Sequence, residues 1–449
     1  MSISEPTSVD PPLAGRNSTP PRKATVGITL GTVLEWYDFS LFGIAASIVF
    51  PTVFFPEGDR VAATLLSLSI FGAAFVARPL GAIVFGHLGD KHGRKNVLIA
   101  TLVLMGVATA GIAVLPTYGQ IGLAAPVLLS LLRILQGVAT GGEWGGAALM
   151  LNENGRRRAG FVGSFLSSAS ALGGALGTVA FLILSATLTP EAMTGWGWRI
   201  PFFLGIVLVA VSIWMRRELE ETDDFRRAQA RAAEGTAHAE GRPALLAVLR
   251  HPRNVVALFL IRLAQNVAGY IWIVFALTYV TVILGISGTS TILASLIASI
   301  GAMFSSPLWG HVGDRIGFKR MLVAAFLLQV LYAFPAFVLL GTGEPVWIVL
   351  AIFLGQVIMT AMIEAVQPAF FSSMFPTSHR MTGAALGREA GAAIGGGATP
   401  AVALGLATAA GGASWPVSLL VIGTSLLALV AVFFARPVPV DAPDRPVAA

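Results

Sequence analysis

The chain has no cysteine among its 449 residues, and only 12% of its residues are charged. Without cysteine it can form no disulfide bond, no thiolate metal site and no cysteine nucleophile. Soluble domains carry about 25% charged residues. The low charge, the 55% of hydrophobic residues and a mean hydropathy of +0.79 exclude a disordered chain and argue strongly against a soluble enzyme. The composition indicates an integral membrane protein.

Histidine is missing from the interior of every long apolar run, since all six histidines fall in loops or at run ends. The sequence also has no Walker signature, no metal-ligand spacing and no Ser-His-Asp order. We therefore predict that the protein is not an enzyme and holds no cofactor or metal. A proton that crosses the membrane through this chain must be carried by a carboxylate, because burial favours the neutral form of a carboxyl group.

Twelve apolar runs are present, and most are long enough to span a bilayer as helices. They cover residues 25–50, 62–86, 97–115, 125–150, 160–187, 198–215, 255–284, 290–311, 321–341, 346–372, 381–406 and 415–435. None shows the alternation of barrel strands. We predict an all-α membrane protein with twelve transmembrane helices.

The run order predicts a division into two bundles of six helices. The predicted parts are a disordered cytoplasmic tail (1–24), a first bundle (25–215), a cytoplasmic linker (216–254), a second bundle (255–435) and a short cytoplasmic tail (436–449). The tail at 1–24 has no apolar core, so it is not a secretory signal.

The lysines and arginines predict the orientation. If the amino terminus is cytoplasmic, 23 of the 29 fall in cytoplasmic segments, one, Arg60, falls outside, and five lie in or at the edge of runs. This bias predicts a multi-pass protein of the bacterial plasma membrane with both termini in the cytoplasm. Because the net charge of +6 is spread over short loops at one membrane face, we predict contact with lipid and none with nucleic acid.

A loop sequence is repeated in the two halves. GHLGDKHGRK begins at Gly86, and GHVGDRIGFKR begins 224 residues later at Gly310. The repeat predicts that the two bundles are related by pseudo-symmetry. Either the loops are glycine turns that anchor the charged membrane face, or their acids pair across helices. We favour the second interpretation, a conformational latch. Its residues are Asp90, Arg94, Asp314 and Arg315.

Ten ionisable residues lie in or at the edge of the apolar runs, where each costs roughly 2.5–3.5 kcal/mol at a helix centre. They are Glu35, Asp38, Glu143, Glu364, Glu389, Arg78, Arg133, Arg199, Arg262 and Arg388. Either they form salt bridges that hold the bundle, or they face a water-filled cavity. We predict proton coupling by Asp38 or Glu35, which lie one turn apart. We predict substrate binding by Arg133, Gln136, Glu143, Arg262, Gln265, Glu364, Arg388 and Glu389.

Several stretches resemble one known family. GTVLEWYDF covers residues 31–39, RILQGVATGGEWGGA covers 133–147, WRIPF starts at Trp198, and the repeated loops match the signature of the major facilitator superfamily. Together they resemble its metabolite:proton symporter family over residues 25–435. The pair Arg388-Glu389 departs from the family, where Tyr-Gln or Tyr-Asn is usual, and Gln265 stands where many relatives carry Glu.

The resemblance implies the major facilitator fold and proton-coupled uptake of a small organic solute, most plausibly a carboxylate, by a monomer that alternates access to its cavity. An exporter or uniporter of the same fold is the first alternative, and a membrane sensor without transport is the second. A dicarboxylate, a tricarboxylate, an aromatic acid and a zwitterion all remain open as the substrate.

Overall fold

The computed structural model describes residues 22–92, 94–141, 158–217, 252–375 and 380–436, and all regular secondary structure in these ranges is helical. Twelve long helices coincide with the twelve predicted runs. They are α1 (Arg22–Ile48), α2 (Arg60–His92), α3 (Arg94–Ala113), α4 (Ala124–Gly141), α5 (Ala159–Thr187), α6 (Arg199–Arg217), α7 (Pro252–Ile283), α8 (Thr289–Ile316), α9 (Phe318–Gly341), α10 (Pro345–Ser372), α11 (Arg380–Gly397, continued by Thr399–Ala409) and α12 (Trp415–Phe434).

The predicted all-helical membrane fold is confirmed. Within the described residues, nine helices are long and apolar enough on their own to cross a bilayer, and α6 joins them if it is counted with the segment Pro190–Gly197, from which it is bent by 42°. The predicted tails and linker lie almost entirely outside the described residues, at 1–21, 218–251 and 437–449.

Two helices of the second half contain π-helical turns. In α7 these turns are Ile271–Phe275 and Tyr279–Ile283, and in α10 the turn is Leu354–Thr360. A π-turn widens a helix and frees backbone groups, and such turns are frequent at functional sites. Both α7 and α10 border the cavity described below.

The two halves meet along pairs of helices that the repeat relates to each other. Helix α5 packs on α8, and α2 packs on α11. The sequence offset makes α8 the equivalent of α2 and α11 the equivalent of α5, so the two contacts are related by pseudo-symmetry. Glycine permits both approaches, because a Cβ at Gly72 would lie 2.1 Å from the carbonyl oxygen of Gly397, and one at Gly310 would lie 2.4 Å from that of Gly160.

The two ends of the bundle differ in charge. At one end, which we name the basic end, lie Arg158, Arg253, Arg315, Lys319, Arg320 and Arg436. At the opposite end lie Glu57, Asp59, Glu191 and Glu344, with Arg60. The fold therefore separates the charges along the axis of the bundle in the way that the run order predicts.

Candidate functional site

A small cavity with both apolar and polar residues in its wall lies between the two halves. It has a volume of about 60 Å³ and is bordered by α1 and α5 of the first half and by α7, α8 and α10 of the second. The polar residues of its wall are Trp36, Ser40, Ser170, Thr178, Ser295, Ser299, Gln356, Thr360 and Glu364. Among the described residues that line it, Glu364 is the only one with an ionisable side chain. The serine, threonine and tryptophan residues were not predicted as site residues, because none of them is unusual in an apolar helix.

Asp38 lies at the centre of a buried network between α1 and α4. Arg133 donates from Nη1 to Asp38 Oδ2 at 2.9 Å, and Gln136 donates from Nε2 to Asp38 Oδ1 at 2.8 Å. The hydroxyl of Thr109 on α3 donates to Oδ1 at 3.3 Å. Both oxygens of this carboxylate are therefore engaged, and its charge is compensated by one arginine.

The Arg133 guanidinium lies among aromatic rings and does not line the cavity. Arg133 has no exposed surface, and its guanidinium carbon lies 4.6 Å from the ring centre of Phe39, 4.2 Å from that of Phe42 and 5.3 Å from that of Phe71. Cation–π attraction to these rings offsets part of the cost of removing the cation from water. In this conformation the predicted substrate-binding residues Arg133 and Gln136 contact Asp38 instead of the cavity.

Glu35 has a different partner from Asp38, although the two acids lie one turn apart on α1. Arg78 of α2 donates from Nη2 to Glu35 Oε1 at 2.6 Å, and its guanidinium lies over the rings of Phe39 and Phe75. We did not predict Arg78 as a site residue, although an arginine inside an apolar run was the available signal. Because each acid has its own arginine, the two do not share a single unpaired site.

A second network joins α7 to α10 in the other half. Arg262 donates from Nη1 to Gln265 Oε1 at 2.6 Å and to Gln367 Oε1 at 2.7 Å. Gln265 in turn donates from Nε2 to Glu364 Oε1 at 2.7 Å. The structure thus brings the predicted residues Arg262, Gln265 and Glu364 together beside the cavity and adds Gln367, which the prediction omitted.

The remaining predicted residues are placed as follows. Arg388 and Glu389 of α11 form a buried ion pair with each other. Glu143 lies outside the described residues, as do the side chains of Asp90 and Arg94. Arg315 is exposed at the basic end.

Asp314 links the two halves at the basic end. Its two carboxylate oxygens accept hydrogen bonds from the backbone N–H groups of Gly160 at 2.7 Å and Phe161 at 2.9 Å. These groups are the unpaired donors at the amino end of α5, where a negative charge is favoured by the helix dipole. An acid of the second half therefore caps a helix of the first half.

Two helical bundles with a cavity between them define a membrane transporter of the major facilitator type. The family model for "Sugar (and other) transporter" matches residues 24–245, and the model for the major facilitator superfamily matches residues 256–449. The xylose transporter XylE from E. coli has the same fold, with a TM-score of 0.71 at 16% identity over 92% of this chain and 96% of that one.

Two bacterial transporters are similar in sequence over most of the chain. The shikimate transporter of Escherichia coli (strain K12) is 37% identical over 388 residues, which is 86% of this chain and 88% of that protein. The citrate-proton symporter of Klebsiella pneumoniae is 32% identical over 384 residues, which is 85% of each. The chain belongs to the metabolite:proton symporter family of the major facilitator superfamily. It is a multi-span membrane transporter and not an enzyme.

Proposed function

We propose that the protein takes up a small carboxylate together with protons by alternating access. The observation that carries this proposal is the buried ion pair between Asp38 and Arg133. A proton on Asp38 removes the charge that holds Arg133. Protonation of Asp38 therefore makes Arg133 available to another anion. Two relatives support the substrate class, since shikimate and citrate are carboxylates, and the name of the second relative includes the proton.

The charge balance of the spans explains why a proton and an anion would travel together. The described central spans hold four acids and four arginines. They are Glu35, Asp38, Glu364, Glu389, Arg78, Arg133, Arg262 and Arg388. A proton on one acid leaves one arginine uncompensated, and a bound carboxylate restores neutrality. Since an uncompensated charge at the centre of a span costs roughly 2.5–3.5 kcal/mol, the loaded carrier is favoured over one that carries the proton alone.

In this mechanism the predicted binding residues form two groups, one at the cavity and one held by Asp38. Glu364 lines the cavity already, and Gln265 and Arg262 are connected to it by hydrogen bonds. Arg133 and Gln136 become available to a substrate carboxylate only when a proton on Asp38 releases them, and a planar guanidinium can then bind it with two hydrogen bonds. We assign Arg388, Glu389 and Glu143 to the same binding region on the basis of the sequence.

Transport by purified protein in liposomes tests the proposed function. We expect labelled shikimate or citrate to accumulate when the interior is alkaline and only to equilibrate without a gradient. Glycine betaine serves as the zwitterionic comparison. Accumulation without a pH gradient would indicate another driving force. Accumulation only when the interior is acidic would indicate an exporter.

We further propose that the basic end faces the cytoplasm of a bacterial cell, because loops rich in lysine and arginine are retained on that side. Ser287 and Arg320 are exposed at opposite ends of the bundle, and the native chain has no cysteine. A Ser287→Cys variant should react with an impermeant maleimide in intact cells, and an Arg320→Cys variant should react only after lysis. The reverse pattern would invert the orientation.

Asp314 is the described member of the proposed latch. Replacing it should free the amino end of α5 and destabilise the conformation in which the halves touch at the basic end. We expect Asp314→Ala to lower the transport rate about tenfold or more while substrate affinity changes less than threefold, since a lost charged cap is worth about 1–2 kcal/mol.

The matched control is Asp59→Ala. Asp59 also caps a helix, accepting from the N–H groups of Val61 and Ala62, but within one half and in an exposed position. It should leave the rate nearly unchanged. Equal losses of affinity and rate in Asp314→Ala would show that Asp314 acts on the substrate site and not as a latch. The protein is proposed to work as a monomer, because one chain supplies both halves of the cavity.

A further inference from the structure

Glu364 is the one acid that reaches the cavity wall in the described part of the chain, and it has no arginine in direct contact. Its Oε1 accepts from Gln265 Nε2, and Arg262 contacts the other end of the same amide. The described salt bridges of the spans join Glu35 with Arg78, Asp38 with Arg133 and Glu389 with Arg388, and none joins Glu364 with Arg262.

The two networks contain the same residue types in exchanged positions. In the first half the acid is on α1 and the Arg-x-x-Gln pair on α4, and the arginine contacts the acid directly. In the second half the Arg-x-x-Gln pair is on α7 and the acid on α10, and the glutamine stands between the arginine and the acid. The charge of Asp38 is therefore compensated inside its half, whereas the charge of Glu364 is presented to whatever occupies the cavity.

An anionic substrate and an ionised Glu364 would repel each other across this small cavity. The helices that carry this network, α7 and α10, also have buried N–H groups without an acceptor in the described residues, which are Arg262 Nε, Asn266 Nδ2 and Gln367 Nε2. The oxygens of a substrate carboxylate can accept hydrogen bonds from these N–H groups. A substrate carboxylate near Arg262 is therefore favoured only if the charge of Glu364 is removed.

We propose that Glu364 is a second proton site, distinct from Asp38, at which a proton and the substrate carboxylate bind together. When Glu364 takes a proton from cavity water, its carboxylate becomes a neutral carboxyl group. Gln265 Nε2 then turns from Glu364 to an oxygen of the substrate carboxylate, and Arg262 compensates the charge of the substrate. The inference rests on the proposed function in one respect, namely that the substrate is a carboxylate.

Few other charged groups face Glu364. Arg262 and Tyr270 of α7 and Arg388 of α11 interact with it electrostatically, and Arg388 is paired with Glu389. Helix α5 has no ionisable residue between Ala159 and Thr187, and those of α8 lie in its last two turns, at the basic end. On α9 the ionisable residues are Lys319 and Arg320 in the first turn and Tyr332, which donates to Ala351. On α1, Glu35 and Asp38 have their own arginines.

The test measures the affinity for shikimate, citrate and glycine betaine against pH in the purified full-length wild-type protein, Glu364→Gln and Asp38→Asn. In the wild type, we expect the affinity for the acids to fall at least tenfold per pH unit above the protonation range of Glu364, as linkage to this proton requires. In Glu364→Gln the dependence should be weaker by one proton, and binding at alkaline pH should be at least tenfold tighter than in the wild type. Asp38→Asn should retain the dependence that Glu364 causes.

Two further measurements keep the test decisive if Glu364→Gln is unstable or none of the three compounds binds. Infrared titration of the substrate-free wild type should show a protonated carboxyl band that Glu364→Gln lacks, with the exposed Glu344→Gln as control. Gln265→Leu should keep this band but lower the affinity for a bound acid at least tenfold.

The outcomes separate this inference from the proposed function. An unchanged pH dependence in Glu364→Gln, or the absence of the infrared band between about pH 5 and 9, would overturn the second proton site even if carboxylates are transported. Binding of glycine betaine alone, weakened in Glu364→Gln, would mean that Glu364 is the ionised partner of a cation. If no compound binds but the band is present, the carboxylate proposal fails while the proton site stands.

Discussion

The Asp38→Asn variant is expected to lose the accumulation of substrate that a proton on Asp38 drives under a pH gradient, while it still exchanges substrate between two loaded compartments. The amide resembles the protonated carboxyl group, so Arg133 is held as if Asp38 always carried its proton. The carrier can then reorient with substrate, but it no longer gains a proton at Asp38 on one side and releases it on the other.

The size of this effect follows from linkage. Each unit of pH difference is worth about 1.4 kcal/mol, or tenfold, for one coupled proton. A gradient of about two units can therefore sustain roughly hundredfold accumulation through the proton on Asp38, and the accumulation ratio should fall by about this factor in Asp38→Asn. Uptake and counterflow of labelled shikimate or citrate in the same liposomes measure both activities.

The exposed Asp59→Asn variant controls for the loss of a carboxylate as such. Glu35→Gln tests the other predicted proton site, whose acid is paired with Arg78. If Asp38→Asn concentrates substrate as strongly as the wild type, Asp38 does not carry a coupled proton. Glu35, Glu364 and Glu389 would then be the candidates among the described residues.

The second large effect is expected from removing Arg133 alone. Its loss leaves Asp38 buried without a cation, and breaking a buried ion pair by removing one partner costs about 3–5 kcal/mol. We expect Arg133→Gln to lower the free energy of unfolding in detergent by this amount, more than Asp38→Asn does. The exposed Arg60→Gln serves as the control.

The double variant Asp38→Asn with Arg133→Gln separates the ion pair from the packing of the guanidinium. If the loss comes from the unpaired carboxylate, the double variant should be more stable than Arg133→Gln alone, since neither partner is then left charged. Losses that simply add would show that the contacts of Arg133 with Phe39, Phe42 and Phe71 matter more than its pairing with Asp38.

The architecture could be predicted from the sequence because the bilayer constrains it so strongly. Every backbone N–H and C=O in hydrocarbon must be satisfied within the segment, so a long apolar run without strand alternation has to be a helix. The repeated loop that begins at Gly86 and again at Gly310 predicted two related halves, because it recurs after half the length of the chain. The twelve helices accordingly begin and end within a few residues of the predicted runs where both are described.

The candidate site could be predicted only in part. Helical spacing correctly placed Arg133 with Gln136 and Arg262 with Gln265, because residues three apart share a helix face. It could not show that Glu35 and Asp38 have different arginines or that Arg133 is enclosed by aromatic rings. Nor could it single out Ser295, Ser299 and Gln356, whose importance comes only from lining the cavity.

Composition and run length were enough to predict the class of the protein, its helices and the set of charges that the membrane interior must accommodate. These features act locally along the chain, so no tertiary information was needed for them. Which acid meets which arginine depends on the packing of the helices, and so does the fact that Glu364 reaches the cavity while Asp38 is enclosed within its half. These outcomes depend on how helices distant in sequence cross, and differences of one helical turn between neighbouring helices decide whether a carboxylate contacts a guanidinium, an amide or the substrate.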